Sequence, residues 1–136
     1  KQTAQGILDQ GVDVILPVGG PIYLSASAAI KDSGKNTVML GVDSDLAVAD
    51  PSVADQILVS VMKRIDTAVY TAVTQAAQGK FDGTPYVGTL ENDGVGLSSF
   101  HDYESKLPAG LQDELKALQA KIVSGEIKVT SPSSPK

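Results

Sequence analysis

The apolar residues in the first half of the chain fall into short, nearly uninterrupted runs, separated by segments of helical spacing. Three runs, at residues 12–18, 37–42 and 57–61, are rich in β-branched and aliphatic side chains. Such runs are typical of strands that helices cover on both faces. Because these strands alternate with helical segments, the pattern predicts an α/β fold with a mostly parallel sheet and right-handed crossovers.

Helical spacing of apolar side chains predicts four helices beside these strands. They occupy residues 2–10, 22–30, 65–76 and 111–122. A glycine that suits a left-handed helix end follows each of them, at Gly11, Gly34, Gly79 and Gly125.

Turn-forming and small residues dominate the segments between these elements. They predict a loop at 44–55, a connector at 80–85, a short strand at 86–90, a glycine-bearing loop at 91–97 and a short edge strand at 127–129. We expect residues 131–136, which are rich in serine and proline, to form a disordered tail.

The composition indicates a single domain of ordinary size. The chain has 136 residues, is 42% hydrophobic and carries a formal net charge of -5. The negative charge argues against binding to nucleic acid or docking on an anionic membrane surface. The chain has no cysteine, and no apolar run approaches the roughly 20 residues of a membrane span. Either the mature chain is soluble, or a targeting segment has been lost.

The sequence lacks the common catalytic motifs. It has no nucleophile elbow, no phosphate-binding loop and no dinucleotide-binding glycine motif after a strand. His101 is the one histidine, and we interpret it as a surface loop residue. A calcium loop that starts at Asp43 is rejected, because Val48 replaces its turn glycine and Ala54 its bidentate glutamate. We therefore expect no enzymatic activity, no metal and no cofactor.

Four residues at predicted strand ends could bind a neutral polar ligand. Gly19 and Gly20 follow the first strand and would let backbone approach a ligand, although a plain strand-to-helix turn would also explain them. Asp43 ends the second strand and could accept hydrogen bonds from vicinal hydroxyls, or it could be a loop carboxylate. Lys63 could sit beside Asp43 and donate to the ligand, or it could simply be solvated.

Five motifs in order resemble the C-terminal part of the basic membrane protein family, which comprises bacterial substrate-binding lipoproteins of the purine nucleoside receptor type. The motifs are residues 11–20 (GVDVILPVGG), 41–45 (GVDSD), 59–69 (VSVMKRIDTAV), 92–97 (NDGVGL) and 122–127 (IVSGEI). Each motif alone is modest, but the five together and in order are specific. Residues 21–23 (PIY) depart from the glycine-rich continuation that is usual in the family.

The resemblance implies a type I periplasmic-binding-protein fold, in which two lobes close over a nucleoside. It implies that Asp43 binds the ribose, that Lys63 is the site lysine and that Gly19 and Gly20 approach the ligand. Family members are longer than this chain, so residues 1–130 would be the C-terminal part of a receptor whose N-terminal lobe is missing. Residues 2–58 would lie mainly in the C-terminal lobe, helix 63–79 would pack on the other lobe, and 86–129 would hold the closing strand and last helix.

The implied function is nucleoside binding for import, with no reaction catalysed. The implied partners are a nucleoside, of the purine type in that family, an ABC permease and the missing lobe. The receptor would be an extracytoplasmic lipoprotein that meets the membrane only through a lipid anchor outside this chain. One alternative is a ligand-sensing regulatory domain of the same fold. Another is an enzyme on a flavodoxin-like or Rossmann-like sheet, which the missing catalytic motifs disfavour.

Overall fold

A four-stranded sheet with the strand order β1-β2-β3-β4 forms the framework of the computed structural model, which describes residues 1–133. The strands are β1 (Val14–Ile15), β2 (Val38–Asp43), β3 (Ile57–Lys63) and β4 (Val95–Leu97). β2 pairs in parallel with both β1 and β3. The predicted α/β fold with a mostly parallel sheet is therefore confirmed.

Five α-helices and two 3₁₀ helices accompany the strands within the described residues. The α-helices are α1 (Gln2–Leu8), α2 (Ile22–Ser33), α3 (Leu46–Ala49), α4 (Ile65–Ala77) and α5 (Leu111–Val123), and the 3₁₀ helices are Pro51–Gln56 and His101–Lys106. Gly34 ends α2 in the left-handed conformation, at φ 65°. The four predicted helices are all present, with ends shifted by a few residues.

Five local predictions were wrong. The predicted loop 44–55 contains α3 and a 3₁₀ helix, because a corner built on Asp50 supplies the turn between two short helical segments. Residues 86–90 form no strand, and the strand β4 lies instead in the predicted glycine loop 91–97. The predicted edge strand at 127–129 is not formed either, and the predicted strand 12–18 pairs only over β1.

Most of the described residues divide into two compact units. The first comprises Lys1–Lys63 and Leu97–Ser105, and the second comprises Arg64–Gly96 and the chain from Lys106 onward. The predicted assignment of segments to two lobes stays a prediction. The predicted tail 131–136 falls partly at residues 134–136, which lie outside the described residues, while 131–133 form an exposed turn.

The hydrophobic core of the first unit lies between α1, α2, the 46–53 segment and the sheet. Its members are Leu8, Ile15, Ala26, Ala29, Ile30, Met39, Leu46, Ala47, Val53 and Ile57. Within β2, Met39 and Gly41 are buried, whereas Leu40 and Val42 on the other face are only half-buried. The sequence predicted that both faces of this strand are covered, whereas the described residues bury one face and cover the other only in part.

The helices of the second unit contribute no buried residue to the described structure. Along α4, Ile65 is 63% exposed, Val69 56% and Val73 63%, although they form the apolar stripe that predicted the helix. Residues of α5 are likewise half-buried or exposed. No helix among residues 1–133 combines the length and apolar character that crossing a membrane requires.

Candidate ligand-binding site

A pocket of about 270 Å³ opens at the carboxyl ends of β1, β2 and β3, within the first unit. Ligands of open α/β sheets bind at this end of the strands. All four residues predicted from sequence line the pocket. The lining residues are Pro17, Val18, Gly19, Gly20, Tyr23, Leu40, Val42, Asp43, Leu46 and Lys63.

Asp43 and Lys63 meet because they end two adjacent parallel strands. Nζ of Lys63 lies 2.8 Å from Oδ1 of Asp43, so the predicted contact is confirmed. The Asp43 side chain is 50% exposed and that of Lys63 65% exposed. A pair this exposed contributes little to stability, since solvent screens the charges. Because both side chains are exposed, their polar groups are accessible from the pocket.

The backbone at Asp43 adopts a conformation that non-glycine residues rarely take. Its φ is 75°, in the left-handed region. Aspartate tolerates that region better than most residues, yet the conformation still costs some free energy, and such residues cluster at ligand sites. The turn places the carboxylate at the pocket wall as the chain leaves β2.

Gly19 and Gly20 form the turn between β1 and α2, and both have positive φ, at 146° and 58°. A β-carbon added at Gly19 would lie 3.3 Å from Cδ1 of Ile22, whereas one added at Gly20 would meet nothing within 4 Å. Glycine is required at both positions by conformation, since L-residues rarely adopt these angles. Open space at Gly20 leaves the backbone there accessible from the pocket.

Tyr23 is a lining residue that sequence reasoning missed. Its hydroxyl donates to Oδ2 of Asp50 at 2.9 Å. Asp50 also accepts hydrogen bonds from the hydroxyl and backbone N–H of Ser52. Hydrogen bonds from Ser52 and then Tyr23 lower the pKa of Asp50, and the bond to Asp50 raises the pKa of Tyr23. No sequence signal joins residues 27 positions apart, so only the fold shows this contact.

Ser60 and Gly41 determine where α3 begins. Ser60 is fully buried, and its Oγ accepts a hydrogen bond from the backbone N–H of Leu46 at 3.0 Å. A β-carbon at Gly41 would lie 2.9 Å from Cβ of Leu46 and closer still to Oγ of Ser60. The absence of a side chain at Gly41 thus lets α3 pack onto the strands, which places Leu46 in the pocket wall.

Asp45 pairs with His101 rather than facing the pocket. Nε2 of His101 donates to the carboxylate, with oxygens at 2.9 and 3.0 Å. Both side chains are half-buried, at 23% exposed for Asp45 and 29% for His101, and His101 begins a 3₁₀ helix, so the interpretation of His101 as a surface loop residue was wrong. The interpretation of Asp45 as a carboxylate that fixes a loop agrees with this contact. Together with the bond between Ser98 N and Ser60 O, it holds residues 97–105 against the rest of the first unit.

The described residues contain no candidate metal site. Among residues 1–133, no three or more histidine, aspartate or glutamate side chains are grouped so that they could hold a metal ion. The polar side chains that line the pocket are those of Tyr23, Asp43 and Lys63, beside the backbone of the glycine turn.

A family model described as "ABC transporter substrate-binding protein PnrA-like" matches residues 1–133. The chain is 30% identical over 132 residues to basic membrane protein D of Borreliella burgdorferi, covering 95% of this chain and 37% of that protein. It is 33% identical to the CD4+ T-cell-stimulating antigen of Listeria monocytogenes, covering 99% and 40%. A lipoprotein of Mycoplasma genitalium is 26% identical, with 96% and 25% covered. The chain thus spans about two fifths or less of the length of these relatives.

Two solved structures have the same fold over rather more than two fifths of their own length. A solute-binding protein of an ABC transporter system from Aeropyrum pernix K1 superposes with a TM-score of 0.74 at 28% identity, covering 98% of this chain and 44% of that one. A transcriptional activator of the comK gene from Bacillus halodurans gives a TM-score of 0.75 at 20% identity, covering 95% and 43%. The second similarity shows the fold alone.

Proposed function

Because the chain belongs to the family of PnrA-like ABC transporter substrate-binding proteins, we propose that it forms part of a receptor that binds a nucleoside, of the purine type, and delivers it to an ABC permease. The contact that carries this proposal is the Asp43–Lys63 pair beside the Gly19–Gly20 turn. The receptor catalyses no reaction; it binds, closes and releases its ligand.

Asp43 would accept hydrogen bonds from the two vicinal hydroxyls of a ribose. A carboxylate offers about four acceptor positions, and Lys63 takes one of them. The ammonium group of Lys63 has three donors, so it can hold Asp43 and still donate to a ligand oxygen. The exposed backbone at Gly20 adds the close approach that a planar, hydroxylated ligand needs.

The other walls of the pocket would come from the rest of the same receptor. The exposed apolar residues of α4 support this, because Ile65, Val69 and Val73 form a stripe that the described residues leave uncovered. An N-terminal lobe that packs on α4 would bury this stripe and close over the ligand. We further propose an extracytoplasmic, lipid-anchored receptor, which the name of the Mycoplasma relative as a lipoprotein supports.

The experiment is calorimetric titration of the full-length receptor with adenosine, guanosine and inosine. Asp43→Asn should weaken binding of the preferred nucleoside by roughly 10- to 100-fold, since a hydrogen bond to a charged group contributes about 1.5–3 kcal/mol. The 2′,3′-dideoxy analogue lacks both hydroxyls, so its affinity should be the same for the variant and the wild type. Asp13→Asn, an exposed carboxylate just before β1, is the matched control and should change neither affinity.

Absence of heat and of a thermal shift with all three nucleosides would overturn the nucleoside assignment. A second test concerns the missing walls. The chain of residues 1–136 alone should bind nucleosides at least 100-fold more weakly than the full receptor, roughly 3 kcal/mol. Tight binding by this chain alone would contradict the two-lobe proposal.

The alternative is a ligand-sensing regulatory domain, and the fold shared with the comK activator favours it. In that case the ligand would bind in the same pocket, but closure would act on a DNA-binding or signalling module. The full-length reading frame distinguishes the two. A signal peptide that ends in a lipid-modified cysteine supports transport, whereas a helix-turn-helix supports regulation.

A further inference from the structure

Tyr23 links the pocket wall to the chain corner at residues 50–52, which does not itself line the pocket. The residue lies in the first turn of α2, directly after the glycine turn, and its ring packs against the hydrophobic core. Its hydroxyl donates to Oδ2 of Asp50 at 2.9 Å. The ring is therefore fixed at its body by packing and at its tip by a charge-assisted hydrogen bond.

The corner on which Tyr23 acts is tightly hydrogen-bonded. Oδ1 of Asp50 accepts from the N–H of Ser52 at 3.1 Å and from its Oγ at 2.6 Å. Lys31, also on α2, donates from Nζ to the carbonyl of Ser52 at 3.0 Å. Thus α2 holds the corner at two points, and one of them is a side chain of the pocket wall.

The corner at residues 50–52 ends the segment that starts in the pocket wall at Leu46. Leu46, the first residue of α3, lines the pocket, and α3 runs directly into Asp50. Asp43 lies only a few residues before α3 and holds its carboxylate by a left-handed backbone turn. Ser60 fixes the start of α3, while Tyr23 fixes its end through Asp50. A shift of the corner would therefore move both Leu46 and the turn at Asp43.

We propose that Tyr23 is a positioning residue for ligand recognition, whose bond to Asp50 holds segment 46–52 so that Asp43 faces the ligand's hydroxyls. This inference rests on the proposed nucleoside function and deepens it. The proposed role belongs to the hydroxyl, because the hydroxyl is the group of Tyr23 that bonds Asp50. Tyr23→Phe separates the hydroxyl from the ring, since it removes the bond to Asp50 and keeps the aromatic body.

The test uses the full-length receptor with Tyr23→Phe, and the probes are inosine and 2′,3′-dideoxyinosine. We expect the variant to bind inosine about 3- to 10-fold more weakly, the range that loss of one hydrogen bond produces. Binding of the dideoxy analogue should not change, since it makes no contact with the Asp43 carboxylate. The matched control is Tyr70→Phe, the same change at a side chain that is 74% exposed. It should leave both affinities as in the wild type.

Hydrogen exchange of the unliganded receptor gives a second readout that needs no ligand. In Tyr23→Phe, amides of residues 46–52 should exchange faster than in the wild type, whereas those of residues 38–41, in the body of β2, should not change. If inosine affinity is unchanged, or if both ligands weaken equally, Tyr23 is not a positioning residue for hydroxyl recognition. If the wild type binds no nucleoside, the proposed function fails, and unchanged exchange at 46–52 would then overturn this inference separately.

Discussion

Gly41→Ala is the substitution for which the structure yields the sharpest estimate. Gly41 is buried in β2, and a β-carbon there would lie 2.9 Å from Cβ of Leu46 and 2.9 Å from Cβ of Ser60. Real β-carbons essentially never come this close to other heavy atoms, and both neighbours are buried side chains on regular elements. The substitution must therefore push α3 away from the strands.

The cost follows from two contributions. Overpacking a buried site costs about 1–3 kcal/mol. Displacing Leu46 also breaks its bond to the buried Oγ of Ser60, and a buried N–H left without a partner costs about 1–3 kcal/mol. Together these predict a loss of about 2–6 kcal/mol, or a urea midpoint lower by roughly 1 M or more.

The assay is urea unfolding of the full-length receptor followed by circular dichroism. The control is Gly6→Ala, the same chemical change in α1 where an added β-carbon meets nothing within 4 Å. It should be neutral or stabilising by up to about 1 kcal/mol. In a Ser60→Gly background, Gly41→Ala should cost at least about 1 kcal/mol less than in the wild type, because one clash partner is gone. A Gly41→Ala receptor within about 0.5 kcal/mol of the wild type would refute the packing argument.

Three further predictions concern the site and its supports. Gly20→Ala should cost about 1 kcal/mol of stability, because φ is 58° there, and should weaken ligand binding as measured by titration. The hydrogen bonds from Ser52 lower the pKa of Asp50 below its usual 3.8, so its contribution is complete above that value and lost as pH falls below it. By urea unfolding, Asp50→Asn should thus be less stable than the wild type at pH 6, and the difference should shrink as pH falls below 3.8. Asp45→Asn should increase hydrogen exchange and proteolysis at residues 97–105, since His101 loses its anionic partner; unchanged rates would contradict this.

The strongest sequence predictions were those with both a periodic pattern and an end signal. Helix α2 was predicted from its apolar spacing and from Gly34, and the structure ends it there in the left-handed conformation. The strand β2 was predicted from an uninterrupted apolar run, and it spans Val38–Asp43. Where a segment had only turn residues to guide it, as in 86–97, the strand was placed wrongly. A three-residue strand such as β4 depends on its neighbour β3 for its hydrogen bonds, and nothing local predicts it.

The candidate site was likewise predicted only in part. Asp43 and Lys63 were predicted as neighbours because both follow strands of a parallel sheet, whose carboxyl ends meet at one edge, and the structure places them in contact. Tyr23 and Leu46 were not predicted as lining residues, because their positions depend on where α2 and α3 pack. The pairing of Asp45 with His101 also lay beyond the sequence, since it joins residues 56 positions apart.

The class of the fold, the order of its main elements and the chemistry at the strand ends can be read from the residues alone. These follow from local periodicity and from the rule that parallel strands present their last residues at one edge. The side chains that close the pocket, the start of α3 and the covered face of β2 emerge only when the chain is folded. Those features depend on contacts between residues far apart in the chain: the missing side chain at Gly41 and the hydroxyl of Tyr23 acquire their roles only from the neighbours that the fold brings to them.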